Sequence, residues 1–235
     1  REGFEFQVGK PKVIFKDING KRCEPMELLT IDVPQEFMGA VMEALGTRRA
    51  ELINMVELAG YLRMEFVIPA RGLIGFRSEF LTNTKGNGIM HHLFHGYAPF
   101  KGDIPGRTRG ALVAFEPGET TTYGIHSVQD RGIMFVVPGQ AVYEGMIVGE
   151  NAREMDMDVN PCKKKHVTNM RSSSADEALR LTSPRILSLE QALEWINEDE
   201  VVEVTPKSIR LRKATLDRQT RGRERKYAQQ AQEGE

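Results

Sequence analysis

Between Glu27 and Tyr97 the spacing of apolar residues switches between two and three-to-four, and this alternation constrains the fold more than any other feature of the chain. Leu29, Ile31 and Val33 share one face of a strand over residues 27–33. Pro34 suits the start of a helix. Phe37, Ala40, Val41, Ala44 and Leu45 then recur at helical spacing, so residues 35–45 read as an amphipathic helix. Gly46 ends it, with Arg48 and Arg49 just beyond, where cations are favoured. Strands follow at 52–58 and 62–69, with Gly60 at the turn. Leu73, Phe76, Phe80 and Leu81 form a second helical stripe, and Asn87-Gly88 turns into a last strand over 89–97. The order β-α-β-β-α-β predicts a ferredoxin-like split βαβ domain over residues 25–100.

The remainder has a different rhythm. Residues 1–24 hold two short strand-like runs, 5–8 and 12–15, and an Asn19-Gly20 turn signal; they read as the end of a preceding domain. Residues 101–109 are a basic connector containing Gly and Pro. Four strand-like runs come next, at 111–115, 120–128, 133–137 and 141–148, separated by Pro-Gly and Asp-Arg-Gly turns. Ser188 opens a helix with Gln191 as capping-box partner, and Leu189, Ala192, Leu193 and Ile196 form its stripe. Trp195, surrounded by acids, reads as packing. Residues 201–204 and 209–211 read as strands paired around Thr205-Pro206. The expectation is an α+β chain in which a small β-rich domain with one helix and a long basic loop, residues 101–213, follows the ferredoxin-like domain. Residues 214–235 read as a basic, disordered tail.

That loop, residues 160–174, carries Lys163, Lys164, Lys165 and Arg171 and no acid. His166, Thr168, Asn169 and Ser172 add hydrogen-bonding groups. Cations displace counterions condensed on a phosphate backbone, and polar groups read sugars and base edges, so this segment is the candidate RNA-binding site. Acids on both sides keep the charge local: Glu150, Glu154, Asp156 and Asp158 before it, and six carboxylates with no base over 188–203. The net charge of the chain is only −1. A second candidate lies in residues 207–226, where nine bases face Asp217 and Glu224 alone; Arg210, Arg212, Lys213, Arg218 and Arg221 are its RNA-binding candidates. The bland alternatives are a solvated turn and a solubilising end.

Two cysteines, Cys23 and Cys162, form no Cys-x-x-Cys pair, which favours a reducing cytoplasm over a disulfide framework. No apolar run is long enough to span a bilayer. Arg in first place, with no signal pattern after it, reads as a piece of something longer.

Val33-Pro-Gln-Glu-Phe-Met-Gly-Ala-Val-Met-Glu-Ala-Leu-Gly-Thr-Arg-Arg49 resembles the first helix of the fifth domain of elongation factor G, and Phe76-Arg-Ser-Glu-Phe-Leu-Thr-Asn-Thr-Lys-Gly-Asn-Gly88 resembles its second helix and the following turn. Val67-Ile-Pro-Ala-Arg-Gly-Leu-Ile-Gly-Phe-Arg-Ser-Glu-Phe80 is more particular and is similar to the BipA/TypA branch of the translational GTPases. Gln129-Asp-Arg-Gly132, Val142-Tyr-Glu-Gly145, Thr168-Asn-Met-Arg171 and residues 182–212 extend the resemblance over nearly the whole chain. It implies a ribosome-dependent GTPase acting in translation and large-subunit assembly under cold or other stress. It also implies a loop reaching towards the peptidyl-transferase centre and the acceptor end of A-site tRNA, with Lys164, Lys165, Thr168, Asn169, Met170 and Arg171 on its most familiar part. The implied partners are the ribosome, through large-subunit rRNA and A-site tRNA, with no DNA and no membrane.

No Gly-x-x-x-x-Gly-Lys-Ser/Thr segment occurs, so this chain is expected to be no enzyme and to hold no cofactor; the resemblance puts GTP and Mg in an N-terminal half. Ser172, Asp176 and His166 could supply triad chemistry, but no nucleophile-elbow sequence supports it. His91 and His95 would share a strand face about 13 Å apart, too far for one metal. The rival reading is a protein-interaction or assembly module with no direct RNA contact.

Overall fold

The computed structural model describes residues 2–58, 60–165 and 179–233. They form two units, one over residues 11–106 and one combining residues 1–10 with 107–235. The first strand, β1 (Phe6–Gly9), belongs to the second unit.

The first unit contains β2 (Lys16–Ile18), β3 (Lys21–Pro34), α1 (Met38–Thr47), β4 (Glu51–Leu58), β5 (Tyr61–Pro69), α2 (Phe76–Asn83) and β6 (Ile89–Pro99). Strands β4, β5, β3 and β6 lie side by side in that order, all antiparallel, and β2 makes a short hairpin with the start of β3. β5 therefore lies between β3 and β4, the two strands joined by α1, which is the split βαβ arrangement. Residues Leu29, Ile31 and Val33 sit opposite Phe66, Met64 and Leu62. The inward face of this ladder packs on Val41, Ala44 and Leu45 of α1 and on Phe76 and Phe80 of α2. Burying each such side chain stabilises by roughly 1.5–3 kcal/mol, which is why period rather than propensity fixed these elements.

Boundaries moved in instructive ways. Pro34 closes β3, and a single 3-10 turn, Gln35–Phe37, intervenes before α1. Gly46 stays inside α1; the left-handed residue is Arg49, at φ 64. Asn19 and Gly20 both have positive φ, as a tight hairpin turn requires, and the strand beside it is β2 rather than residues 12–15. Residues 101–106 stay with this unit: Lys101 donates its amide to the fully buried Glu24 carboxylate at 2.8 Å, and Arg71 bonds both Glu24 and the carbonyl of Gly102.

The second unit is a mixed sheet. It comprises β7 (Ala111–Ala114), β8 (Gly118–Glu119), α3 (Thr122–Gln129), β9 (Gly132–Met134), β10 (Ala141–Val142), β11 (Met146–Asn151), β12 (Met157–Val159), α4 (Leu189–Trp195), β13 (Glu200–Val204), β14 (Ile209–Lys213) and α5 (Arg218–Glu233). The strand order is β1-β13-β14-β11-β7-β12, with β9 also on β11 and a separate β8-β10 pair. Both faces of the centre are covered, so β7 and β11 are buried at every position. Leu112, Ala114, Met146 and Val148 pack with Ile125 and Val128 of α3; Ala111, Val113 and Ile147 pack with Ala192, Trp195 and Ile196 around α4. The predicted capping box forms, with Ser188 and Gln191 exchanging side-chain-to-backbone bonds at 3.0 and 3.3 Å.

Three expectations need correction. Residues 1–24 do not act together: β1 pairs with β13, and β2 with β3. Residues 120–128 are not a strand but the cap and body of α3, whose Ile125 and Val128 turn inward at helical spacing. The domain thus holds more than one helix. Residues 218–233 are a helix rather than a disordered tail. Asp217 accepts the amide of Thr220 at 2.6 Å, and Arg218 and Arg221 both reach Asp158, at 3.0 and 2.9 Å, so ion pairs substitute for an apolar stripe.

Candidate nucleic-acid interface

The basic segment rises from α3. Thr121 caps that helix: its hydroxyl accepts the amide of Gly124 at 2.8 Å and donates to the carbonyl of Lys163 at 2.6 Å. Its own amide bonds the carbonyl of Pro161 at 3.0 Å. Gly124 is required here, because a Cβ would lie 2.1 Å from that same carbonyl oxygen. Asn160 locks the entry, donating to Glu116 at 2.6 Å and accepting the amide of Cys162 at 2.9 Å. Cys162 lies against Gly118, and burial together with the nearby Glu116 carboxylate pushes its thiol up, away from a reactive thiolate.

At the other end of α3, the Gln129 amide donates to the carbonyl of Arg180 at 3.1 Å and accepts the amide of Thr182 at 3.0 Å. One helix thereby holds both roots of the segment. Lys163, Lys164 and Lys165 are exposed at the first root. His166, Thr168, Asn169, Arg171 and Ser172 lie outside the described residues, as do Met170, Asp176 and the rest of that candidate triad. Sequence reading missed Thr121 and Gln129. A Thr before a helix is a cap signal, but it was absorbed into a β-branched run.

The second set of candidates is divided by the fold. Lys213 is buried, with its ammonium 2.6 Å from Asp156 and 2.8 Å from both Asp199 and Glu200. Burial alone would lower its pKa, but Glu200 and Asp156 outweigh it and the net direction is up. Arg212 pairs with Glu203 at 2.8 Å and with Gln7 of β1 at 2.6 Å. These two cations are structural, and the expectation that they meet RNA is withdrawn. Arg221 is largely buried against Asp158, whereas Arg218, also on Asp158, keeps half its surface exposed. Arg210 lines a cavity, considered below.

Trp195 is core, as expected. It lies edge-on to Phe135 with ring centroids 5.2 Å apart, donates to Glu150 at 2.7 Å, and carries the guanidinium of Arg107 3.7 Å above its ring. Arg107 also grips the fully buried Glu200 with two bonds, at 2.9 and 3.0 Å. Of the strand histidines, His92 contacts Glu27 at 2.6 Å. Among the described residues no group of three or more His, Cys, Asp or Glu is placed to hold a metal ion.

Comparison with known proteins decides the lineage. The family model described as the TypA/BipA C-terminal domain matches residues 109–218, and that of the elongation factor G C-terminus matches residues 21–108. The chain belongs to the TypA/BipA family. It is 51% identical over 223 residues to the large ribosomal subunit assembly factor BipA of Bacillus subtilis, covering 94% of this chain and 36% of that protein. The proteins of the same name from Synechocystis and Escherichia coli K12 are 50% and 46% identical, over 91% and 95% of this chain and 36% and 37% of theirs. The chain thus spans a little over a third of the length of these TypA/BipA relatives. Its TypA/BipA-specific portion contains both α3 and the segment that α3 anchors.

Proposed function

We propose that this chain is the ribosome-facing portion of a ribosome-associated GTPase that acts in translation and large-subunit assembly. The names of its relatives support the assembly role. The observation that carries the RNA contact is the row Lys163, Lys164 and Lys165, exposed at a root fastened to α3 by Thr121. In this reading the lysines, with Arg171, neutralise phosphates of large-subunit rRNA and of the A-site tRNA acceptor end. His166, Thr168, Asn169 and Ser172 supply hydrogen bonds to sugars and bases. GTP and Mg binding belong elsewhere in the longer protein. The 235 residues hold no phosphate-cradling Gly-x-x-x-x-Gly-Lys-Ser/Thr segment, and no step of hydrolysis is assigned to them. The protein is proposed to work in the cytoplasm; among the described residues no helix is long and apolar enough to cross a membrane.

The test is ribosome co-sedimentation across a salt series. Four phosphates neutralised on single-stranded RNA give a log-log slope of about −3 for the loop's share. Replacing Lys163, Lys164, Lys165 and Arg171 together by Ala should flatten the slope by about that amount and weaken association. An unchanged slope removes the loop from the mechanism.

One observation favours the rival, a protein-interaction module. Leu52, Ile53, Leu93 and Phe94 of β4 and β6 are exposed apolar side chains of the first unit's sheet. A complex indifferent to nuclease and to salt would favour that reading over RNA contact.

A further inference from the structure

The second unit contains a cavity of about 530 Å³ at the end of β14. β11 pairs with β14 only at Leu211 and Arg212, so the strand's first residues, Ile209 and Arg210, extend past that partner. Phe135, Ile147, Leu187 and Leu211 give the cavity an apolar lining, and Lys207 and Arg210 supply its charge. No carboxylate is among its lining residues, although the chain as a whole is net negative. Thr205 and Ser208, in the turn beside it, are hydrogen-bonded to each other and hold the turn's shape. The Nε of Arg210 is buried and has no hydrogen-bond partner among the described residues. The other such atom, Nε of Arg107, belongs to a guanidinium already held by Glu200 and Trp195; no carboxylate or aromatic contact of that kind holds Arg210.

We infer that this cavity receives one unpaired nucleotide of RNA, with its base on the apolar wall and its phosphate on Arg210 and Lys207. The volume falls in the range of small-molecule sites, where an apolar lining and a few polar groups set orientation. An aromatic wall suits the face of a base, which side chains such as Phe135 bind by stacking without demanding a sequence. A buried guanidinium N–H without an acceptor costs free energy until an acceptor arrives, and a phosphate oxygen is the acceptor that a guanidinium fork fits. The inference rests on the reading of this chain as RNA-facing, but it concerns different residues from Lys163 to Lys165.

The experiment uses the intact chain and a hexauridylate carrying one 4-thiouridine. The expected result is a photocrosslink to the peptide containing Phe135 or Leu187, and a loss of about tenfold in affinity in Arg210→Ala, with partial recovery in Arg210→Lys. Circular dichroism and thermal melting of each variant confirm that the unit is folded. Should Arg210→Ala melt early, Lys207→Ala, at an exposed position, provides the same test of the phosphate contact, with a smaller expected loss. Crosslinks confined to the 160–165 region, or unchanged affinity in both variants, would overturn the inference. Uridine monophosphate competing as well as the hexamer would identify a free nucleotide as the ligand and overturn the RNA assignment. Inorganic phosphate competing equally well would reduce the site to an anion hole and overturn base insertion. The two readings fail separately. If the loop variant flattens the ribosome salt slope while the cavity captures no thiouridine, the loop stands and the cavity falls; the converse result has the converse meaning.

Discussion

The hydroxyl of Thr121 stands between the amide of Gly124, 2.8 Å away, and the carbonyl of Lys163, 2.6 Å away, so one atom both caps α3 and ties down the start of the lysine row. Replacing Thr121 by Ala removes both bonds. The expected loss is about 1–2 kcal/mol, the upper part of the range for a helix cap. Urea denaturation measures it. Trypsin should also cut faster at Lys163 to Lys165, and an unchanged cleavage rate would mean that the tie does not restrain the root.

Gly124 is set by space rather than by backbone angle. The Cβ of an alanine would stand 2.1 Å from the oxygen of Pro161, a backbone atom that cannot swing aside. Gly124→Ala should therefore destabilise the second unit by about 1–3 kcal/mol, despite Ala being the better helix former. A neutral or stabilising result in thermal melts would show that the segment entering the loop yields easily.

Lys213 is the keystone charge of the second unit. Removing it as Lys213→Met leaves Asp156 and the fully buried Glu200 without their ammonium, at an expected cost of about 3–5 kcal/mol. If Met fills the space and the carboxylates take up protons, the loss shrinks as pH falls, so denaturation at several pH values separates the two effects.

The pH dependence of the unmodified chain follows from the same cluster. Burial pushes the Asp156 carboxyl up, but Lys213 outweighs it, and the net direction is down. Its stabilisation is complete above the ordinary aspartate value of about 3.9 and is lost as pH falls through the lower folded value. For Lys213 the net direction is up, so its stabilisation is complete below about 10.4 and is lost as pH rises through the higher folded value. Denaturation midpoints should form a plateau between those limits, and Lys213→Met should flatten both shoulders.

Shortening the chain tests α5. A cut before Arg218 removes its pairs with Asp158, one arginine half-exposed, and should cost about 1 kcal/mol or less while leaving cooperative unfolding intact. A cut before Lys207 would instead remove β14, which lies between β13 and β11, and should abolish folding of the second unit. Only the first cut is a clean test of whether the end of the chain contributes to ribosome binding.

The first unit was legible because its signals are local. Leu29, Ile31 and Val33 alternate, Phe37, Val41, Ala44 and Leu45 do not, and each period names its element. The second unit resisted where the decisive partner is distant in sequence. Lys213 looks like one more base in a basic run until Asp156 and Glu200 meet it across the sheet. Residues 120–128 carry β-branched and aromatic side chains that suit a strand, yet Thr121 caps a helix and Gly124 lets Pro161 approach. α5 has no apolar stripe to announce it, only arginines spaced to reach one aspartate. The candidate site was read correctly in charge and misplaced in its extension to Arg212 and Lys213, because composition counts cations without seeing which ones already face carboxylates.

The two fastenings at Thr121 and Gln129 are separated by one eight-residue helix, a span of about 12 Å. Whatever joins Lys163 to Arg180 need only bridge that fixed gap. The position is therefore a natural splice point: a fluorophore-bearing peptide or the corresponding stretch of a relative could be grafted between those residues while the supporting sheet keeps its sequence unchanged.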